Sequence, residues 1–515
     1  MWLAACQLDL GVAEVSAAEV SAAEVAAGDE RDGKPGGGAS DVALTAALSP
    51  PPPVVMPERG EMELLPPAGQ GPQVEPLLPD AYSSHGSSRP SDGRMPLEPY
   101  WDHGLKLISP DENFTIHPGG NLQWDSVWLI GPEGVLASGS NAASTGNSAA
   151  SLIRRARLRL DGSIYQRFDY TMEYDLANAV NDNSGLQNPT QDDLIGSPVP
   201  CNVWVQIREV PWFGQVRIGN QKTPLGMTNN TFQGFLPFME RADNQDGFYG
   251  PFNQGYSPGI SATNWTESER MTWRYGVYRP LKNAFGIGLE EYMVAGRMTA
   301  LPVDSDDGQR LVHFGLAATQ GSLVNDEVRL RVRPLLRNGP GYAVPVLINT
   351  GVFPASSQYF VGPELAAVLG SWTLQAEWTG NFIQDVQLAG NSSQTTAFFQ
   401  GGYVQMLYFL TGEHQRYERR SGAFGRVIPL NPLGSGSDGG CGCGAWQLGA
   451  RYSYLNLNDD AITGGRVEDL TIGLNWYLNP NMKFQGNYIL EHREVAEANQ
   501  SGWFSGLGIR AACDF

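Results

Sequence analysis

Alternation with a period of two runs from about residue 110 to the end of the chain. Over 155–174 the even positions include Leu158, Leu160, Ile164, Phe168, Tyr170, Met172 and Tyr174. The odd positions include Arg155, Arg157, Arg159, Asp161, Ser163, Asp169, Thr171 and Glu173. Side chains of a strand point alternately to its two faces, so this segment has one greasy and one charged face. Gly162 with Ser163 predicts a tight turn that makes it a hairpin. The last third repeats the pattern. Trp446, Leu448, Ala450, Tyr452 and Tyr454 alternate with Gln447, Gly449, Arg451 and Ser453. Leu470, Ile472, Leu474 and Trp476 alternate with Asp469, Thr471, Gly473 and Asn475, and Asn479-Pro480-Asn481 signals a turn. Leu507, Ile509, Ala511, Cys513 and Phe515 share the last greasy face.

Two architectures give such a pattern. A soluble sandwich buries the apolar face in a core, whereas a membrane barrel turns it to lipid and the polar face to a watery lumen. A membrane strand needs roughly 9–11 residues, while sandwich strands are often about 5–6. The segments above reach the membrane length. Trp446, Tyr452, Tyr454, Trp476, Tyr488 and Trp503 sit on the greasy parity, as interfacial aromatic girdles would. The long Gly- and Asn-rich stretches 178–201 and 425–444 suit extracellular loops. The fold class expected is therefore all-β: a transmembrane antiparallel β-barrel.

Composition narrows the function. Lys plus Arg number 34 and Asp plus Glu 54, a net charge of −20, which argues against a nucleic-acid partner. No run of roughly 18 apolar residues is present, so helical spans are not expected. Residues 1–100 differ from the rest. They hold a five-residue Ala/Val/Glu repeat and 15 acids against 5 bases, and 13 of the 35 prolines fall in 50–99. Such a stretch reads as a disordered, semi-rigid tail, leaving 101–515 for the barrel. No signal peptide is evident in the sequence as written.

The chain resembles the phosphate-selective porin O and P family. The resemblance is carried by Arg154-Arg155-Ala156-Arg157, by Val216 to Gly226 with Lys222-Thr223-Pro224, and by Phe238-Met239-Glu240-Arg241. Leu410-Thr411-Gly412-Glu413, Ala450-Arg451-Tyr452-Ser453 and Gly473 to Pro480 add to it. It covers roughly 101–515. It implies sixteen strands, a homotrimer in outer-membrane lipid, small anions such as phosphate as the cargo, and Phe515 as an assembly signal.

Catalytic motifs fail on inspection. Gly255-Tyr256-Ser257-Pro258-Gly259 fits a nucleophile elbow by letter, but Pro258 lacks the N–H an oxyanion hole needs. Cys441-Gly442-Cys443 lacks zinc spacing and a histidine cluster. A disulfide and two free thiols are both open there. No enzyme activity and no cofactor are expected. The arginines say more: 29 Arg stand against 5 Lys. Arg155, Arg157 and Arg159 fall on one strand face. Arg329, Arg331 and Arg333 alternate with Val328, Leu330 and Val332 as on a second strand. Arg208, Arg217 and Arg451 share the polar parity of their strands, while Lys222 falls off it. Guanidinium is planar, permanently charged and bidentate toward phosphate, and rows of Arg or Lys select anions in pores. The expectation is an anion pathway through these residues. Bracing by lumenal carboxylates such as Asp161, Asp169 and Glu173 is the alternative, as are a weakly selective general porin and a structural outer-membrane anchor.

Overall fold

The computed structural model describes residues 96–136, 146–177, 198–249, 255–279, 291–305, 307–338, 344–387, 395–434, 442–459 and 462–515. The tail expected over 1–100 and the state of Cys441 lie almost wholly outside these. A short hairpin, Glu98–Trp101 with Leu105–Ile108, leads into the wall.

The wall is a closed antiparallel barrel of sixteen strands. The first eight are β1 (Phe114–Ile130), β2 (Asn147–Ile164), β3 (Phe168–Asp175), β4 (Val199–Val210), β5 (Gly214–Lys222), β6 (Tyr256–Trp265), β7 (Met271–Tyr278) and β8 (Met293–Asp304). The rest are β9 (Arg310–Ser322), β10 (Ser357–Leu369), β11 (Trp372–Val386), β12 (Thr395–Phe409), β13 (Ala445–Asp459), β14 (Ile462–Asn479), β15 (Met482–Glu494) and β16 (Gly502–Asp514). Each pairs with the next, and β16 pairs back onto β1 from Ser505↔Ile130 to Asp514↔Asn121. Closure leaves no free edge. Phe515 finishes the seam by exchanging backbone hydrogen bonds with Gly120 at 2.8 and 3.1 Å.

The outward faces match the alternation. Leu158, Leu470, Ile472, Tyr488, Trp503, Leu507 and Ile509 are exposed, whereas Arg155, Arg157, Gln447, Arg451, Ser453, Asp469, Asn475 and Arg510 are buried inside. The β2–β3 hairpin turns at 165–167, with positive φ at Tyr165 and Gln166, and not at Gly162-Ser163. Gly162 sits within the ladder, and a Cβ there would stand 2.0 Å from the Thr115 carbonyl oxygen. It is a glycine for close backbone approach, not for a turn.

Three connections fold into the barrel. Strand order fixes their ends, since connections after odd-numbered strands lie at one mouth and those after even-numbered strands at the other. The β5–β6 connection (223–255) and the β9–β10 connection (323–356) enter from the first mouth. The β12–β13 connection (410–444) enters from the second, whose other turns between wall strands are all short. The connections that hold 178–201 and 425–444 leave from β3 and β12, whose ends lie at opposite mouths; residues 178–197 and 435–441 of the expected extracellular loops lie outside the described residues.

The lumen is not polar throughout. On one side the β9–β10 insert packs Leu330, Val332, Leu335, Leu336, Ile348 and Phe353 against inward-facing Leu129, Ile383, Phe399, Leu455, Val467, Ile489 and Phe504. This apolar core fills part of the barrel. It also corrects the reading of 328–333 as a wall strand with one greasy face. Glu327–Val328 and Arg331–Val332 are two-residue pairings inside the insert, and the alternating Leu330 and Val332 are buried in protein rather than turned to lipid.

Candidate anion pathway

The polar side of the lumen begins at a bulge. Gln123 pairs with Arg155 but Trp124 with Ile153, so Arg154 is the extra residue. Both Arg154 and Arg155 are buried in consequence. They meet Glu240, which the β5–β6 insert brings to the wall. Glu240 accepts from Arg154 at 2.8 and 3.1 Å and from Arg510 of β16 at 2.9 Å. Arg155 lies at 3.6 Å, Arg337 of the β9–β10 insert at 3.9 Å, and Arg451 donates to the Glu240 backbone carbonyl at 2.9 Å. Burial alone would push the Glu240 carboxyl up, but Arg154, Arg155 and Arg510 hold it well below the usual carboxylate range. Asp246, farther along the same insert, is treated likewise: burial is overcome by Arg337, at 2.8 Å, and by Arg333. Its neighbour Asp243 goes the other way, pushed up to about 8 by burial and then by the Asp469 carboxylate.

The remaining arginines expected to carry anions divide into two kinds. Arg157 sits 3.0 Å from Asp175 and 3.5 Å from Glu173, Arg159 is 2.7 Å from Asp161, and Arg208 is 2.6 Å from Asp169. Arg329 donates to Asn349 at 2.9 Å, and the Arg333 backbone N–H donates to Asp246 at 3.2 Å. Arg331 is buried in the same insert. These side chains stand among carboxylates and inserts.

Arg217 and Lys222 differ. Both line a cavity of about 350 Å³ between the β4–β8 wall and the inserts, together with Arg274, Arg297 and Arg420. Among the described residues, no Asp or Glu lines it. Arg217 donates to the Gln206 side-chain oxygen at 2.8 and 3.1 Å and stacks 3.8 Å over the Trp204 ring. Arg274 donates to Gln221 at 2.7 Å. Lys222 donates to Asn229 at 3.0 Å and sits 4.6 Å above the Tyr256 ring. Tyr256 is its cross-strand partner and is buried, so Lys222 faces inward, contrary to its expected parity. Gly219, three residues before Lys222, has a positive φ of 133°. Amides and aromatic faces are among the groups that hold these cations. Arg274 and Arg297 are directly paired across β7 and β8, a like-charge juxtaposition that stability alone would not select. The sequence reading missed Arg274, Arg297 and Arg420. The parity of Thr272-Arg274 and of Ala295-Arg297-Thr299 carried the signal for the first two, and nothing local carried it for Arg420.

The family model described as phosphate-selective porin O and P matches residues 137–515. An uncharacterized protein of Caulobacter vibrioides is 28% identical over 448 residues, covering 84% of this chain and 79% of its own. Porin O of Pseudomonas aeruginosa is 24% identical over 409 residues, covering 75% of this chain and 85% of its own. Among solved structures, an anion-selective porin from Comamonas acidovorans matches 78% of this chain and 100% of its own, with 11% identity and a TM-score of 0.45. The trimer form of OmpT from Vibrio cholerae matches 78% and 99%, with 10% identity and the same TM-score of 0.45.

Proposed function

The chain belongs to the phosphate-selective porin O and P family and is an outer-membrane porin, and from that premise we propose that it passes small anions by passive diffusion, phosphate foremost. One observation carries the reading: five cationic side chains line a cavity that, among the described residues, no carboxylate lines. An anion entering it trades water for charge-assisted hydrogen bonds, and guanidinium groups offer these in pairs that match phosphate oxygens. Several sites of moderate strength pass an ion on without trapping it, which conduction requires. The mechanism uses no covalent step and no cofactor.

In this reading Arg217, Lys222, Arg274 and Arg420 form the pathway, and Arg297, bonded to Glu364 and to the Ser421 and Gly422 carbonyls, shapes its wall. Arg157, Arg159 and Arg208, each beside a carboxylate, brace the wall. Arg155, Arg331, Arg333 and Arg451 fix the inserts, and Arg329 caps the insert's own turn through Asn349. The proposal keeps the homotrimer implied by the family, and it keeps Phe515 as the assembly signal on account of its seam with Gly120.

The test is block. In a planar bilayer bathed in chloride, millimolar phosphate on either side is expected to reduce single-channel current. A weakly selective general porin would carry chloride without block, and a purely structural anchor would carry no current.

A further inference from the structure

The β12–β13 insert enters from the mouth opposite the other two. Over its described part, 410–434, it carries Arg416, Arg419, Arg420 and Arg426 against Glu413 and Glu418, in a chain of net charge −20. Its small hairpin, Tyr417–Glu418 with Ala423–Phe424, folds inside the barrel near the short-turn ends of β8, β9 and β10. There Phe424 packs with Met227 of the β5–β6 insert and with Leu301, Leu311, Ala366 and Val368 of the wall. Inserts from opposite mouths therefore meet inside.

The hairpin tip, 419–422, is docked by three neighbouring wall strands. Arg297 of β8 donates to the Ser421 carbonyl at 3.2 Å and to the Gly422 carbonyl at 2.6 Å. Its Nε donates to Glu364 of β10 at 2.8 Å. His313 of β9 bridges Glu364, at 3.2 Å, and the Tyr417 hydroxyl, at 2.6 Å. Gly422 has φ of 62°, and a Cβ there would stand 3.0 Å from the Arg297 guanidinium, so the tip is shaped to this dock. Arg419 is tied to Asp304 at 2.8 Å. Arg420 points the other way, into the cavity, 2.7 Å from Glu269 and 4.9 Å above the Trp265 ring.

We propose that this tip is a second selectivity element, in which Arg420 is the anion-binding side chain at the cavity's short-turn mouth and Arg297, Glu364, His313 and Tyr417 are its positioning residues. The inference rests on the anion-porin reading and adds to it a site on one side only. Bracing alone does not account for Arg420. Its partner Glu269 is half-buried, but the Arg420 side chain itself is 63% exposed toward the cavity mouth. An anion leaving Arg274 meets it next.

The experiment is sided block of single channels, with inorganic phosphate added to each chamber in turn. Parent channels are expected to be blocked from both sides. In Arg420→Gln the phosphate needed for half-block rises by about fivefold from one chamber, the effect of one nearby charge in water, and by less than about twofold from the other. Arg420→Lys retains two-sided block. Tyr417→Phe, which keeps the ring packing but frees the tip from His313, shows the same one-sided loss at smaller size. Equal block from both chambers in Arg420→Gln, with the parent blocked, overturns this inference alone. A parent that passes chloride and is not blocked removes instead the reading beneath it.

Discussion

Replacing Arg217, Lys222 and Arg274 together with glutamine is expected to remove most of the anion preference while leaving the barrel assembled. The three project into the cavity of about 350 Å³, where amides and aromatic rings hold them. Of the two cations left behind, Arg297 is paired with Glu364 at 2.7 Å, so only the exposed Arg420 at the mouth still offers charge to an anion. A unit charge 4 Å from an ion is worth about 1 kcal/mol in water. Three such charges make a local preference of order 100-fold, since ~1.4 kcal/mol is tenfold. Glutamine keeps polar reach, and no buried carboxylate is orphaned at Arg217 or Arg274. Heat-modifiable gel mobility should therefore match the parent. The matching triple change at Arg155, Arg157 and Arg159 to alanine is expected to do the reverse. It strips Glu173, Asp175, Asp161 and part of the Glu240 cluster of their partners, so assembled barrel falls and the surviving channels keep most of their preference. Selectivity lost in the second variant and kept in the first would exchange the roles of the two groups.

Glu240→Gln should release the β5–β6 insert from the wall. Four guanidinium groups converge on this one carboxylate, from β2, β16 and the β9–β10 insert. Removing one partner of a buried ion cluster typically costs about 3–5 kcal/mol, because the other charges stay buried. The wall keeps its ladder hydrogen bonds, so the loss falls on the insert. Single-channel recordings should show higher and noisier conductance, with fluctuations the parent lacks.

The pH dependence follows from two carboxyls on the insert. Glu240 is depressed when folded, so its contribution is present above the ordinary carboxylate pKa of about 4.3 and is lost only as pH falls through its lower folded value. Asp243 is raised. Its contribution is complete below about 3.9 and is lost as pH rises through about 8. The insert should stay seated from neutral pH down to about 4.3 and loosen on the alkaline side. Asp243→Asn should suppress the alkaline noise. Noise that grows on mild acidification and not above pH 8 would contradict both assignments.

The wall was legible because alternation is imposed by lipid on one side and water or protein on the other. Leu158, Ile472 and Ile509 outward, with Arg157, Asp469 and Arg510 inward, follow from parity alone. Parity fails where the backbone is irregular. The bulge at Gln123 and Trp124 turns two consecutive arginines inward, and Lys222, at the end of β5 beyond Gly219, stands against its parity beside the buried Tyr256. It fails again where a lumen is filled, because an inward Ile489 or Phe504 meets an insert that sequence distance hides. Arg329, Arg331 and Arg333 showed the strand period, yet an extended segment inside a barrel has the same period as one in its wall. Charge balance was the least legible feature. Which arginines stand beside carboxylates depends on contacts such as Arg154 with Glu240, 86 residues apart.

The most direct measurement is the reversal potential of the purified parent protein in a planar bilayer under a potassium chloride gradient. The cavity lining predicts a potential on the chloride side of zero, moving toward zero when Arg217, Lys222 and Arg274 are neutralised. A potential at zero or on the potassium side in the parent would contradict the assignment of this arginine-lined cavity as an anion pathway.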